Sequence, residues 1–479
     1  MGATLFPPIR ETGVTYSYSG GSSPSSPAVS TGRMVLYGAG QVGAQIVRDS
    51  PTVLLPLFMT TMLGISPWLA GLAILIPKLW IILCDPLVGS WSDRKKASWG
   101  RAPFLLVGGP LTALGFFILF LPVTLDSEVK TAIWVSLIYT LTSTAFSAYL
   151  VPYMALASEM TTDTHVRTKI LAWRIVFTMV GVIAGVGFAQ PLIGWAGGGA
   201  KGWTAMGGLF ALLCLASMLA PVVVARRTVA PASGEPQPFL AQMATAWSNP
   251  PFRALLAAFF IQSVGQAASY GAVALMFLFV LGNVTLLIPF ILLMSVGSVG
   301  SQPLWVWLSR KIGKRETFTL SAFVWALLTF TWLLAKPGGP IVAHLPMLGD
   351  VTGEQILALV RAPLIGVLNA GFFLMAQSML TDAVVYDRVR NGRSSEGALT
   401  GVFSASEKLA YAVGPFLGGI VLSAAGFHAS HGGAVAQGAS ALRGILVNYS
   451  LVPAAFVLLS LLVIRAYHLK PADLEPSRG

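Results

Sequence analysis

The sequence predicts an all-α membrane protein: twelve transmembrane helices arranged as two pseudo-symmetric six-helix bundles. Three observations carry that expectation. First, 55% of the 479 residues are hydrophobic and only 10% are charged, whereas a soluble globular chain carries about 25% charged residues. Second, twelve stretches are long and apolar enough to cross a bilayer, which takes about 20 mainly apolar residues in a helix. Third, the Lys and Arg residues collect in alternate loops, the pattern that orients helices in membranes. The net charge of +12 does not point to a nucleic-acid partner here, because the charges sit in short loops between apolar runs.

Residues 1–33 come first. They are rich in Gly, Ser and Pro, as in Ser19-Gly20-Gly21-Ser22-Ser23-Pro24. With no apolar core they are read as a disordered tail rather than a signal peptide. The spans then fall at about 35–62, 68–92, 103–123, 131–157, 169–192 and 203–225, and again at 252–281, 284–309, 317–335, 355–382, 399–425 and 445–468. Several contain Gly or Pro, which membrane helices tolerate. Gly181, Gly185 and Gly187 mark either close helix packing or loose packing against lipid. The N-terminal bundle is 34–225 and the C-terminal bundle 251–470, with a short tail at 471–479. Between the bundles, residues 226–250 hold Pro231, Pro236, Pro238, Pro250 and Gly234 and read as a linker. A weak repeat supports the division: Trp91-Ser92-Asp93-Arg94-Lys95 follows the second span and Trp307-Leu308-Ser309-Arg310-Lys311 the eighth. Many secondary transporters are built from such paired repeats, with the site between the halves near the midplane.

One set of loops holds Arg94, Lys95, Lys96 and Arg101, then Arg226 and Arg227, then Arg310, Lys311, Lys314 and Arg315. The opposite set holds little beyond Lys130, Lys201, Lys336 and Arg443. The first set is therefore expected in the cytoplasm. An even number of spans puts both termini there too, in a plasma membrane or bacterial inner membrane.

Asp85 is the most telling ionisable residue. It lies within Leu79-Trp80-Ile81-Ile82-Leu83-Cys84-Asp85-Pro86-Leu87, where a charge costs several kcal/mol and marks function by default. A carboxylate facing a polar cavity takes a proton or binds a cation, since burial raises its pKa; the competing role is a static ion pair. Lys78 precedes it by about two turns and shares its face. Asp49 and Gln45, four apart, share a face of the first helix, lining a polar cavity or pairing locally. Glu407 and Lys408 sit inside the eleventh; as sequence neighbours, at most one is expected to face the cavity squarely. Tyr149, Tyr153, Trp173, Tyr270, Phe372 and Phe373 are candidate cavity aromatics, although helix aromatics more often pack or anchor interfaces. Asp93, Arg94, Arg101 and Asp382 lie at cytoplasmic helix ends, placed to latch the halves, while Asp387 reads as a solvated charge. Cys84 and Cys214 lie in apolar runs and read as small buried residues. The five histidines lie near loops or ends, and no Walker-type phosphate loop occurs, so neither an enzyme, a metal site nor a cofactor is expected.

Asp85-Pro86-Leu87-Val88-Gly89, Ser92-Asp93-Arg94 and Ser98-Trp99-Gly100-Arg101-Ala102-Pro103-Phe104 resemble the glycoside–pentoside–hexuronide:cation symporters, a branch of the major facilitator superfamily typified by melibiose permease. Tyr37-Gly38-Ala39-Gly40, Val151-Pro152-Tyr153 with Arg174, and Thr381-Asp382-Ala383-Val384-Val385-Tyr386 with Glu396 and Lys408 extend the resemblance over most of 35–468. It implies the major facilitator fold, alternating access and solute symport driven by sodium or protons. By the same resemblance Asp85 is the coupling carboxylate, Lys408 lies near the cation site, Arg174 lines the cavity, and Lys78 stands where sugar transporters often have arginine. Two departures matter. The second acid of the melibiose type, one turn before Asp85, is Ile81 here, and the sugar-gripping acids of helices one and four correspond to Gln45 and Leu150. Asp49, one turn from Gln45, offers partial compensation. A lone carboxylate suffices for a proton, whereas sodium prefers several oxygen ligands. The expectation is thus a monomeric, proton-coupled symporter of a small polar organic solute such as a glycoside. The alternatives are an amphiphile such as a lysolipid on the same fold, or a non-transporting receptor or assembly factor.

Overall fold

The computed structural model describes residues 29–469 apart from 162, 227, 229–243, 245, 346–348 and 392–395, together with residue 473. The expected N-terminal tail up to residue 28, most of the linker and nearly all of the C-terminal tail lie outside the described residues. The helices are α1 (Thr31–Thr61), α2 (Pro67–Trp99), α3 (Ala102–Leu119), α4 (Glu128–Glu159), α5 (Thr164–Val182), α6 (Gly199–Ala225), α7 (Pro250–Leu275), α8 (Leu287–Gly300), α9 (Lys314–Phe330), α10 (Gly353–Asn391), α11 (Glu396–Ala424) and α12 (Val452–Ile464). Shorter helical pieces extend α5, α8 and α12.

Among the described residues nine helices are long and apolar enough to cross a membrane, and Val284–Gly300 with Gln302–Ile312, bent by 44°, makes a tenth. The two that remain are α1 and α11, of 31 and 29 residues. Their middles carry Arg48 with Asp49 and Glu407 with Lys408. The charges that lower their apolarity are the ones that meet in the cavity described below.

Packing repeats with an offset of six helices. In the first half α1 packs on α5 and α6, α2 on α4, and α3 on α4 and α6; in the second, α7 packs on α11 and α12, α8 on α10, and α9 on α10 and α12. Two pseudo-symmetric six-helix bundles follow from that repetition. Between them, α2 lies along α11 and α1 along α7. The expected fifth span is not one straight helix, since Ile183–Gly187 forms a π turn before Ala189–Trp195. The expected disordered tail also ends earlier than residue 33: Val29 is buried and Ser30 caps α1, accepting a hydrogen bond from the Arg33 amide. One element was not expected at all. Ile341–Leu345 pairs antiparallel with Gly349–Thr352 before α10, favoured by β-branched Ile341, Val342 and Val351.

At the end away from the basic loops the halves are locked together. The backbone amides of Ser430 and Gly433 donate to the carbonyls of Thr60 and Thr61, each at 2.9 Å, and the amide of Trp68 donates to the Ser423 hydroxyl at 3.0 Å. Here α2 and α11 touch backbone to backbone, because a Cβ on Gly419 would lie 2.2 Å from the Pro67 carbonyl oxygen. Overpacking of this kind costs about 1–3 kcal/mol, and one or two kcal/mol shifts a two-state ratio roughly 5–30-fold. Gly419→Ala is therefore expected to open this end. Disulfide cross-linking in a Trp68→Cys, Ser423→Cys background should fall severalfold when Gly419→Ala is added; an unchanged yield would mean the contact is slack.

Candidate functional site

Asp85 stands mid-length in α2 and is followed by Pro86, which has no N–H to return to the Ile82 carbonyl. From α11, the Lys408 ammonium donates to Asp85 Oδ2 at 2.5 Å. From α4, the Ser147 hydroxyl donates to Oδ1. Both carboxylate oxygens are thus engaged, one within the first half and one across the halves. Asp85 is only 16% exposed and Lys408 41%, so the carboxylate lies beneath an ammonium that still reaches open space. A buried carboxylate with a replaceable cationic partner can exchange that partner for a proton or a small cation.

The open space is a cavity of roughly 810 Å³ between the halves. Gln45, Asp49, Lys78, Asp85, Glu407 and Lys408 all line it, so the structure brings together six residues expected from the sequence. Gln41 donates to Gln45 at 3.2 Å and Gln45 to Asp49 at 2.7 Å, a ladder up one face of α1. Lys78 donates to the Thr52 hydroxyl at 3.2 Å. Glu407 and Lys408 both reach the cavity, contrary to the expectation that one at most would face it; the lumen is wide enough for two long neighbouring side chains. The second half adds Gln266, donating to Asn369 at 3.2 Å, and Tyr270 stacked on Tyr411. Much of the remaining wall is apolar, with Phe290, Trp325 and Trp332 prominent, and both Ile81 and Leu150 face the lumen.

Six expected cavity residues are elsewhere, among them Phe373, whose ring lies against that of Phe259. Tyr149 and Tyr153 are fully buried inside the first half, where they stack on one another and Tyr153 stacks on Tyr37. Their hydroxyls donate to the Gly40 and Tyr37 carbonyls, so they fasten α4 to α1. Phe372 packs between Phe318 and Trp325 in the core of the second half. Trp173 packs beside Phe177, and Arg174 lies outside the wall, its guanidinium against Met154 Sδ at 3.0 Å. In each case an aromatic or a long cation found a partner within its own bundle. Ser147, Thr52, Gln266, Asn369 and Arg48 line the cavity without having been singled out as site residues. Ser143 and Ser147, four apart on α4, were a readable signal for a polar stripe.

In this structure the charges expected to latch the halves, Asp93, Arg94, Arg101 and Asp382, make no described bond across them. Arg101 is 4% exposed; it donates to Asp93 at 2.6 Å, to Glu159 at 2.8 Å and to Ser92 at 2.7 Å, all in the first half. Burial works against its charge, but the hydrogen bonds it donates to Glu159 and Asp93 outweigh it and raise its pKa above the usual arginine value. Arg94 caps back onto the Ser90 carbonyl of its own helix, and Asp382 pairs with Lys314 at 2.7 Å within the second half. Asp387 is buried rather than solvated.

A family model described as "MFS/sugar transport protein" matches residues 36–471. The chain is 25% identical to the inner membrane symporter YicJ of Escherichia coli over 92% of this chain and 93% of that one. It is likewise 25% identical to the sphingosine-1-phosphate transporter MFSD2B of Mus musculus over 93% and 90%. Among solved structures it is similar to a bacterial homologue of the human lysosomal transporter Spinster, with a TM-score of 0.66 at 14% identity over 93% of this chain and all of that one.

Proposed function

Because the chain belongs to the MFS/sugar transport protein family, a family of membrane transporters and not of enzymes, we propose that it is a proton-coupled symporter of a small polar organic solute of glycoside size. The observation that carries this reading is the Asp85–Lys408 ion pair, which joins the two halves midway along α2. While Asp85 is ionised, Lys408 ties α11 to α2. Protonation of Asp85 removes the attraction, frees the ammonium for the solute or solvent, and lets the halves rock about the site. Both Asp85 oxygens already have donors and Ile81 supplies no oxygen one turn away, which favours a proton over sodium. Gln45 and the Gln266–Asn369 pair offer neutral hydrogen bonds of the kind hydroxyls accept and donate, beside the ring faces of Tyr270 and Tyr411. All these groups come from one chain, so a monomer suffices. The basic loops and both termini are assigned to the cytoplasm.

A second reading, transport of an amphiphile, draws on the apolar wall and on the mouse relative named for sphingosine-1-phosphate. The test is a thermal-shift screen of the purified protein against sugars and lysolipids, at two pH values, with and without sodium. A ligand at 100 times its Kd stabilises by about 2.7 kcal/mol. The proposal expects stabilisation by a sugar or glycoside that changes with pH and ignores sodium. Stabilisation that requires sodium would reject the proton, and stabilisation by lysolipids alone would select the amphiphile.

A further inference from the structure

Six charged side chains line the cavity, three of each sign, and they are not evenly matched. Asp85 is held by Lys408 and Ser147, and Asp49 by Gln45. The cations on the first half, Arg48 and Lys78, share one nearby carboxylate, Asp49, and form an ion pair with no described residue. Arg48 is exposed to the lumen and has no hydrogen-bond or ion-pair partner among the described residues. One turn on, the Thr52 hydroxyl donates to the Arg48 carbonyl at 2.9 Å and accepts from Lys78 at 3.2 Å. Thr52 thus brings the Lys78 ammonium to within one turn of Arg48 on α1, and all five guanidinium N–H groups and two ammonium N–H groups lack an acceptor among the described residues. Two unpaired cations in a membrane interior are costly, and such groups are kept where something else supplies the anion. Arginine cannot shed its charge to relieve the cost. From the other half, Phe290, Ile291, Met294, Trp325 and Ile365 present apolar surface to the same lumen.

We infer that the transported solute is an amphipathic organic anion, its carboxylate or phosphate held by Arg48 and Lys78 and its body lying against the apolar wall of the second half. This rests on the transporter reading and gives its solute a charge; it does not depend on which ion is coupled. Glu407, the remaining carboxylate, lacks an ion-pair partner among the described residues and stands on α11, in the second half. It repels the anion and so sets the limit on its affinity.

Equilibrium binding to the full-length protein in nanodiscs tests the inference with two matched pairs of probes. One pair is 4-methylumbelliferyl β-glucuronide against the β-glucoside, which differ in a carboxylate. The other is lysophosphatidic acid against monoacylglycerol, which differ in a phosphate. The anion of at least one pair should bind about 10–100-fold more tightly than its neutral partner, the scale of a charge-assisted hydrogen bond. The pair that responds identifies the anion's source. Arg48→Gln and Lys78→Gln should each collapse the preference, Lys78→Arg should keep it, and Glu407→Gln should increase it. Binding is read at equilibrium with no gradient imposed, so failure of the coupling reading cannot be mistaken for failure here. The inference is overturned if neither anion binds, if the neutral partners bind as tightly, or if the preference survives in an Arg48→Gln protein whose unfolding temperature is unchanged. It is also overturned if Glu407→Gln abolishes the preference, since that carboxylate would then help to hold the ligand instead of repelling an anion.

Discussion

Asp85→Asn is expected to abolish accumulation against a gradient while leaving exchange down a gradient largely intact. The substitution keeps the shape of the side chain and a carbonyl oxygen to accept from Ser147 or Lys408. It removes the one property the cycle uses, a charge that can be cancelled by a proton. The lost charge-assisted bond to Lys408 is worth about 1.5–3 kcal/mol. The fold should survive that loss, because the ammonium is already 41% exposed and can turn to the lumen. In proteoliposomes with an imposed pH gradient, the accumulation ratio should fall to one, with counterflow persisting. Lys408→Gln should behave differently: Asp85, 16% exposed, loses its ionic partner and is left buried, so its protonated form is favoured and the halves are no longer tied when the proton leaves. Wild-type accumulation by Asp85→Asn would refute the coupling role outright.

Asp85 was legible because the sequence shows a cost without a remedy: a carboxylate in an apolar run. Its partner was not, since 323 positions separate it from Lys408 and no local periodicity joins them. The family resemblance placed a lysine nearby, and the fold supplied the contact. The halves were legible as a linker and a faint loop repeat, but the repeat of packing partners, α1 with α5 as α7 with α11, is not, because no local pattern in a helix names its neighbours. Tyr149 and Tyr153 show the opposite failure. A tyrosine in a membrane helix looks like a ligand platform, yet its hydroxyl is equally satisfied by a neighbouring backbone carbonyl. Only the position of α1 decides between the two. The same holds for Arg48, which its own helix could not have revealed as unpaired: pairing is a property of the cavity, and the sequence presents the residue beside an aspartate that turns out to face Gln45.

Arg101→Ala should be among the most destabilising single changes at the basic end, and its pattern separates a brace from a latch. The guanidinium joins the end of α2, the start of α3 and the end of α4 through Ser92, Asp93 and Glu159. Glu159 is 7% exposed, so removing its partner strands a carboxylate, a loss of about 3–5 kcal/mol for a buried pair. Arg101→Lys keeps the charge but loses the planar fork that reaches Glu159 and Asp93 together, and should recover only part of it. Asp93→Asn should cost far less, about 0–1 kcal/mol, because Asp93 is 40% exposed and Glu159 still holds the arginine. Inactivation half-times in detergent should therefore shorten in the order Arg101→Ala, Arg101→Lys, Asp93→Asn, the first being the shortest. A latch between the halves would give a different order. Asp93→Asn would then alter the rate of solute exchange as much as Arg101→Ala does, with little change in half-time for either. The geometry favours the brace, since every partner of Arg101 among the described residues belongs to the first half and a group that ties three helices of one bundle stabilises that bundle in both conformations of the cycle.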